Sequence, residues 1–264
     1  MFRWFLILAI VLGSLWGAEA PKKIPVLCYH RFSSGELDSM SIKTQVFGEQ
    51  MEWLKTNGYT VIPLDTAMQY EQGKIKSIPA KSVVITVDDG HKSVYSDMAP
   101  IVKKYKIPVT LFIYPSAISN AKYAMTWEQL QELEKTKLFH VESHTYWHPN
   151  FKKEKKMLSA EEYAKSVDKQ LNGSKKKLEE KMGHEIKYLA WAFGIYDDAL
   201  LVDAKKAGYA AAFTIDRKHA SSTDNPMALG RYMVISKHTI KDFEHMVDGT
   251  EDRMIPSKKE ILKY

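Results

Sequence analysis

Cysteine is almost missing from this chain: 264 residues contain one, Cys28. An intramolecular disulfide and a cysteine-built metal cluster are both excluded, so packing must hold the core. Within IPVLCY the thiol reads as a small buried hydrophobe. Internal repeats and low-complexity linkers are also missing, which points to a single domain. A long apolar run occurs only at the start, in MFRWFLILAIVLGSLWGAEA. Arg3, the apolar stretch from Trp4 to Leu12 and the small-residue ending Ala18-Glu19-Ala20 make a secretory signal pattern. Residues 1–20 are expected to be a signal peptide or, left uncut before Pro21, an N-terminal anchor that tethers the protein to a membrane. Residues 21–264 would then be exported, to the periplasm, the cell envelope or the medium.

Excess charge is modest, +6 from 38 Lys and Arg against 32 Asp and Glu. Lysine clusters such as KKEKK (152–156) and KKK (175–177) are interleaved with Glu and read as solvated helix faces. No Arg-and-aromatic stripe or nucleic-acid motif accompanies them, so nucleic acid is set aside as a partner.

Short runs rich in β-branched and aromatic residues are present throughout. They fall at 24–29, 60–63, 82–87, 108–114, 138–143, 186–193, 209–215 and 230–235. Helical segments lie between them, at 47–56, 94–105, 126–135, 160–181 and 198–206, with Thr126 and Gln129 at capping-box spacing. About seven strand-helix units suit an α/β fold closed into an irregular or incomplete (β/α) barrel better than an open sheet. In such a barrel the chemistry sits at the C-terminal ends of the strands. His30 follows the first run, Asp88 and Asp89 the third, His144 the fifth, and Phe193 and Gly194 close the sixth.

Two of these strand ends carry unusual polar groups. SVVITVDDG (82–90) ends a buried strand in adjacent carboxylates, either as a turn or around a cation. HTYWH places His144 and His148 four apart, on one side of a helical turn if the segment is helical. These are either a satisfied polar pair or metal ligands. Two imidazoles and one carboxylate would leave coordination positions open for catalysis, with the second carboxylate free as a base.

Thr86-Val87-Asp88-Asp89-Gly90 resembles the T-F-D-D-G motif of the polysaccharide deacetylases, the nodulation-protein-B-like carbohydrate esterases. Ser143-His144-Thr145-Tyr146-Trp147-His148-Pro149 resembles their S-H-T-x-x-H-P motif. The resemblance covers roughly residues 24 to 247. It implies a distorted (β/α)7 barrel in which Asp88 is the general base and Asp89, His144 and His148 bind one divalent metal. Zinc is the expected ion, with Co, Ni, Fe or Mn as alternatives. The family's R-x-P-Y-G motif is reduced to Ala190-Trp191-Ala192-Phe193-Gly194, which lacks both the arginine and the proline. A backbone N–H near Phe193 and Gly194 is expected to serve the oxyanion. Arg231 either replaces the missing arginine or makes a surface ion pair.

The acid histidine of the family is better matched by Leu27-Cys28-Tyr29-His30 than by the C-terminal Ile235-Ser236-Lys237-His238. This looks like the permuted branch that includes poly-N-acetylglucosamine deacetylases. His30 is therefore expected to be the acid, and His238 a surface residue before the last helix. The remaining histidines, His91, His140, His184, His219 and His245, are expected to be structural. Tyr29, Tyr146, Trp147 and Trp191 are candidates for stacking on sugar rings, with a core position open for Trp191. The implied reaction removes N-acetyl groups from an acetylated amino-sugar polymer outside the cytoplasm. A non-catalytic carbohydrate-binding barrel and a metal amidase acting on small amides or imides are the alternatives.

Overall fold

The structure is a computed structural model that describes residues 23–250, so the expected signal or anchor segment lies outside the described residues. The chain opens with β1 (Lys23–Ile24) and β2 (Val26–Tyr29), separated by Pro25, which has no N–H to give to a ladder. After β3 (Arg31–Ser33) and β4 (Ser41–Lys43) come α1 (Thr44–Thr56), β5 (Thr60–Val61) and α2 (Leu64–Glu71). The fully buried run SVVITVD forms β6 (Ser82–Asp88). A π turn (Val94–Met98) leads into α3 (Ala99–Tyr105) and β7 (Val109–Ile113). The expected capping box is present at Thr126 and Gln129 and opens α4 (Trp127–Lys135), followed by β8 (Phe139–Ser143).

The lysine-rich KKEKK lies in α5 (Phe151–Met157). The single helix expected over 160–181 is instead α6 (Ala160–Asp168), a π turn (Lys169–Gly173) and α7 (Ser174–Met182). Next come β9 (Tyr188–Ala190), α8 (Asp198–Lys206), β10 (Ala211–Phe213), β11 (Ala220–Ser221), β12 (Tyr232–Met233) and α9 (Ile240–Asp248).

Seven strands make one parallel path in the order β10-β9-β8-β7-β6-β2-β12, and β5 adds to the start of β6. The two edges meet through Leu229, just before β12. It bridges Phe213 of β10, accepting from Thr214 N–H at 2.8 Å and donating to Ala212 at 2.9 Å. The sheet thus curls into the expected distorted (β/α)7 barrel. Its loosest seam is between β8 and β9, where only Ser143 and Leu189 pair. There the Glu142 carboxylate accepts the N–H groups of Lys187 and Tyr188, both at 2.8 Å, in place of ladder partners.

One core fills the layer between sheet and helices. A second, including Val26, Val84, Phe112 and Phe213, fills the barrel interior, with Leu64, Ala67 and Met68 of α2 packed into it. Because α2 follows β5, which pairs with the beginning of β6, it plugs the end opposite the candidate rim.

Candidate active site and metal centre

Asp88 is the last residue of β6 and is buried. Asp89 and Gly90 then adopt left-handed backbone conformations, with φ of 76° and 75°. Aspartate tolerates this region better than most residues, and glycine enters it freely. Two such residues in succession reverse the chain at once, so both carboxylates face the pocket although they are adjacent. A Cβ at Gly90 would come within 2.9 Å of Ile113 Cδ1, so the turn is also packed from behind.

His144 follows β8 directly. Its Nδ1–H donates to the Ala190 carbonyl at 2.8 Å, which turns the Nε2 lone pair into the pocket. That nitrogen lies 3.7 Å from Asp88 Oδ2 and 3.7 Å from Asp89 Oδ1, and His148 Nε2 lies 3.9 Å from the same Asp89 oxygen. Burial, reinforced by the neighbouring His144, pushes the His148 pKa down to about 4, so its imidazole is neutral near pH 7.

The helical spacing expected for the histidine pair is not how they meet. Residues 144–150 form a loop, with Thr145 and His148 at φ 65° and 60°. Gln170, buried within the π turn, shapes it, its Oε1 accepting the N–H groups of Tyr146 and Trp147 at 2.9 and 3.1 Å. Ser174 adds a hydrogen bond to the Thr145 carbonyl at 2.8 Å. Neither residue was evident from sequence, because the π turn that aims Gln170 looks like ordinary helix.

Arg231 is wholly buried, which overturns the surface ion pair and also the placement of this residue among substrate contacts. It enters from the residue before β12 and runs up the barrel interior. Its guanidinium grips Asp88 with two nearly parallel bonds, 2.8 Å to Oδ1 and 2.7 Å to Oδ2. Further donations reach Thr86 Oγ1 and the Thr214 carbonyl, both at 3.1 Å, and the guanidinium lies over the Phe112 ring. Burial alone would raise the Asp88 pKa, but the charge of Arg231, with His144 and His30, holds it well below the usual carboxylate range. Cys28 is buried as expected, yet it is more than a hydrophobe: its Sγ lies 3.4 Å from Asp88 Oδ2. Burial raises its thiol pKa well above the ordinary value, so it stays protonated and can donate.

His30 follows β2 and is buried, with a ring nitrogen, Cys28 Sγ and an Asp88 oxygen all within 4.8 Å of one another. Burial lowers its pKa, while Asp89 and Asp88 pull it back up. His238 is not a free surface residue. It is half-buried, its Nδ1 accepts from Ile235 N–H at 3.2 Å, and its charged neighbours are Arg217 and Asp242.

Phe193 is half exposed at φ 55°, and its ring meets His148 edge to face at 4.3 Å. Gly194 follows at φ 64°, where a Cβ would strike Ile215 Cγ1 at 2.6 Å. Trp191 and Tyr29 are buried and cannot stack on a sugar. Trp191 Nε1–H donates to the Met227 carbonyl at 2.9 Å, and Tyr29 O–H donates to Gln50 at 2.8 Å. Trp147 is exposed and Tyr146 half-buried, the latter under the Lys169 ammonium.

The donor set fits a divalent cation. Tetrahedral zinc with bonds of about 2.0–2.1 Å spaces its ligand atoms about 3.3 Å apart. The Asp89, His144 and His148 atoms, all within 4.8 Å of one another, need small rotations to reach that spacing.

The match to known proteins agrees with this geometry. Residues 76–212 match the polysaccharide deacetylase family model, and the chain belongs to that family of enzymes. A Bacillus subtilis protein described by family alone, the polysaccharide deacetylase YxkH, is 33% identical over 218 residues, covering 82% of this chain and 73% of its own. A Staphylococcus aureus poly-β-1,6-N-acetyl-D-glucosamine N-deacetylase is 29% identical over 232 residues, covering 85% of this chain and 78% of the relative. Among solved structures, IcaB from Ammonifex degensii superposes with a TM-score of 0.73 at 25% identity, over 86% of this chain and 96% of IcaB.

Proposed function

We propose that this protein is an exported, metal-dependent N-deacetylase of poly-β-1,6-N-acetylglucosamine. The observation that carries the reading is Asp88, a buried carboxylate clamped by Arg231 and set beside the Asp89, His144 and His148 donors. A relative named for that polymer, sharing 29% identity over 85% of the chain, supports the substrate. The N-terminal apolar segment, as signal peptide or membrane anchor, supports export to where such a polymer lies.

A divalent cation held by Asp89, His144 and His148, zinc by preference, supplies Lewis-acid polarisation of the acetyl carbonyl and acidifies water. Asp88 accepts a proton from the attacking water, whose oxygen bonds to the carbonyl carbon. Arg231 keeps that carboxylate ionised and fixes both of its oxygens, standing in for the arginine missing from the third motif. A backbone N–H at Phe193 or Gly194 donates to the carbonyl oxygen as it gains charge. His30 delivers a proton to the amide nitrogen as the C–N bond breaks, leaving acetate and a free amine. Trp147 and Phe193, both exposed beside the pocket, offer apolar faces to sugar rings; Tyr146 offers a smaller one.

Acetate release from oligomers of poly-β-1,6-N-acetylglucosamine, peptidoglycan glycan and chitin tests the assignment, with and without a chelator. The expected result is fastest release from the β-1,6 polymer, abolished by the chelator and restored by zinc. Chelator-resistant release, or ring opening of a small cyclic imide with no acetate released from any of the three glycans, contradicts it.

A further inference from the structure

A second set of chelating side chains lies at the plugged end of the barrel. Glu134 near the end of α4, His140 on β8 and His184 between α7 and β9 each place one ligand atom within 4.8 Å of the others. All three line a cleft of about 720 Å³. His140 and His144 are four residues apart on one strand direction, roughly 13 Å at the usual rise, so the two clusters are separate sites. We propose that Glu134, His140 and His184 form a second divalent-cation site, of the imidazole and carboxylate type that takes Zn²⁺.

The hydrogen bonds around the cluster converge on the Glu134 carboxylate. His184 Nδ1–H donates to the Glu185 carbonyl at 3.0 Å, and its Nε2–H donates to Glu134 Oε1 at 2.8 Å. A divalent cation binding here takes the place of the proton that His184 shares with Glu134. His140 presents Nδ1 to the same Glu134 oxygen at 3.8 Å and Nε2 to Glu142 Oε1 at 3.3 Å. The two separations to Glu134, 2.8 and 3.8 Å, bracket the roughly 3.3 Å between ligand atoms of tetrahedral zinc.

Glu142 is the independent observation. It is fully buried, and its Oε2 takes two backbone N–H groups while its Oε1 faces the His140 Nε2 at 3.3 Å. A buried carboxylate oxygen so placed needs a positive or strongly polarised donor. An Nε2–H on a metal-bound His140 is such a donor, and a carboxylate behind a ligating histidine is the usual support of a zinc site. Val141 N–H fixes Glu134 Oε1 in turn, at 2.8 Å. The two imidazoles stack at 4.3 Å and 25°. An ion here ties α4, β8 and the α7–β9 loop together across the seam where β8 and β9 share one pair.

The test measures zinc in the full chain after gel filtration in metal-free buffer. Wild type should hold about two equivalents, His184→Gln about one, and the double variant His144→Ala with His148→Ala about one. Adding His184→Gln to that double variant should bring zinc close to zero and abolish the zinc-induced rise in Tm that the double variant retains. Circular dichroism of each variant verifies folding, and a His140→Gln variant gives the same readings by a second route. One equivalent in wild type with none in the double variant would overturn the site, as would zinc content indifferent to His184 and His140. Because the double variant lacks the active-site histidines, this outcome is independent of whether the deacetylase reading stands.

Discussion

At the scale of single residues, the molecule keeps a charged carboxylate where water hardly reaches, and Arg231 makes that tolerable. Breaking a buried pair of this kind strands the remaining charge and costs about 3–5 kcal/mol. Arg231→Met should therefore lower stability by that order in urea unfolding and remove activity. Combining it with Asp88→Leu should recover much of the stability but none of the activity. Additive losses in the double variant would mean that the two side chains do not act as a unit. The role proposed for His30 has the opposite relation to charge, since an acid must give its proton to the leaving amine. His30→Ala should retain zinc and lose roughly a hundredfold or more in turnover on an acetamide. An ester with a good leaving group needs less protonation and should be affected far less, so equal loss on both substrates would assign His30 a positioning role.

At the scale of elements, the active rim depends on a π turn hidden inside the stretch 160–181. Gln170 holds the histidine loop by two backbone N–H groups, so Gln170→Ala should weaken zinc binding by about 10–100-fold without touching a ligand. Unchanged zinc affinity would show that the loop is rigid on its own. At the other end, α2 is held by Asp65, which accepts from Tyr188 at 2.8 Å and Lys187 at 3.2 Å. Burial opposes its ionisation, but those bonds and one from Gln69 pull its pKa below the ordinary 3.8. A depressed carboxylate stabilises the fold above its unfolded pKa and loses that contribution as pH falls through the folded value. The stability gap between wild type and Asp65→Asn should be open at neutral pH and close in acid; a gap constant with pH contradicts this role.

Much of this was legible in the sequence: buried strands, the Thr126 cap, and Asp88, Asp89, His144 and His148 at strand ends. The legible parts are local, set by side-chain type and period. What was not legible is set by distant packing. Arg231 reaches Asp88 across 143 positions. The left-handed turns at Asp89, Thr145 and His148 replace the helical spacing the histidines suggested. His140, His184 and Glu134 meet because a helix end, a strand start and a loop converge under the barrel.

At the scale of the whole molecule, the barrel sets the candidate active site and the α2 plug at opposite ends. The C-terminal rim gathers His30, Asp88, Asp89, His144 and Phe193 from strands β2, β6, β8 and β9, while α2 closes the other end. Among the described residues no helix is long and apolar enough to cross a membrane. The parallel β12–β2 ladder sets Arg231, just before β12, and His30, just after β2, in neighbouring parts of the barrel, which explains how residues from opposite ends of the chain can serve one carboxylate. The central claim is that two adjacent aspartates divide the work, Asp88 as base and Asp89 as ligand. It is tested most directly by measuring active-site zinc and acetate release on the same samples of Asp88→Asn and Asp89→Asn, each carrying His184→Gln to remove the second cluster. The account predicts that Asp88→Asn keeps its zinc while acetate release falls by about 10²–10⁴, and that Asp89→Asn loses both. Zinc lost from Asp88→Asn but kept in an active Asp89→Asn would contradict it.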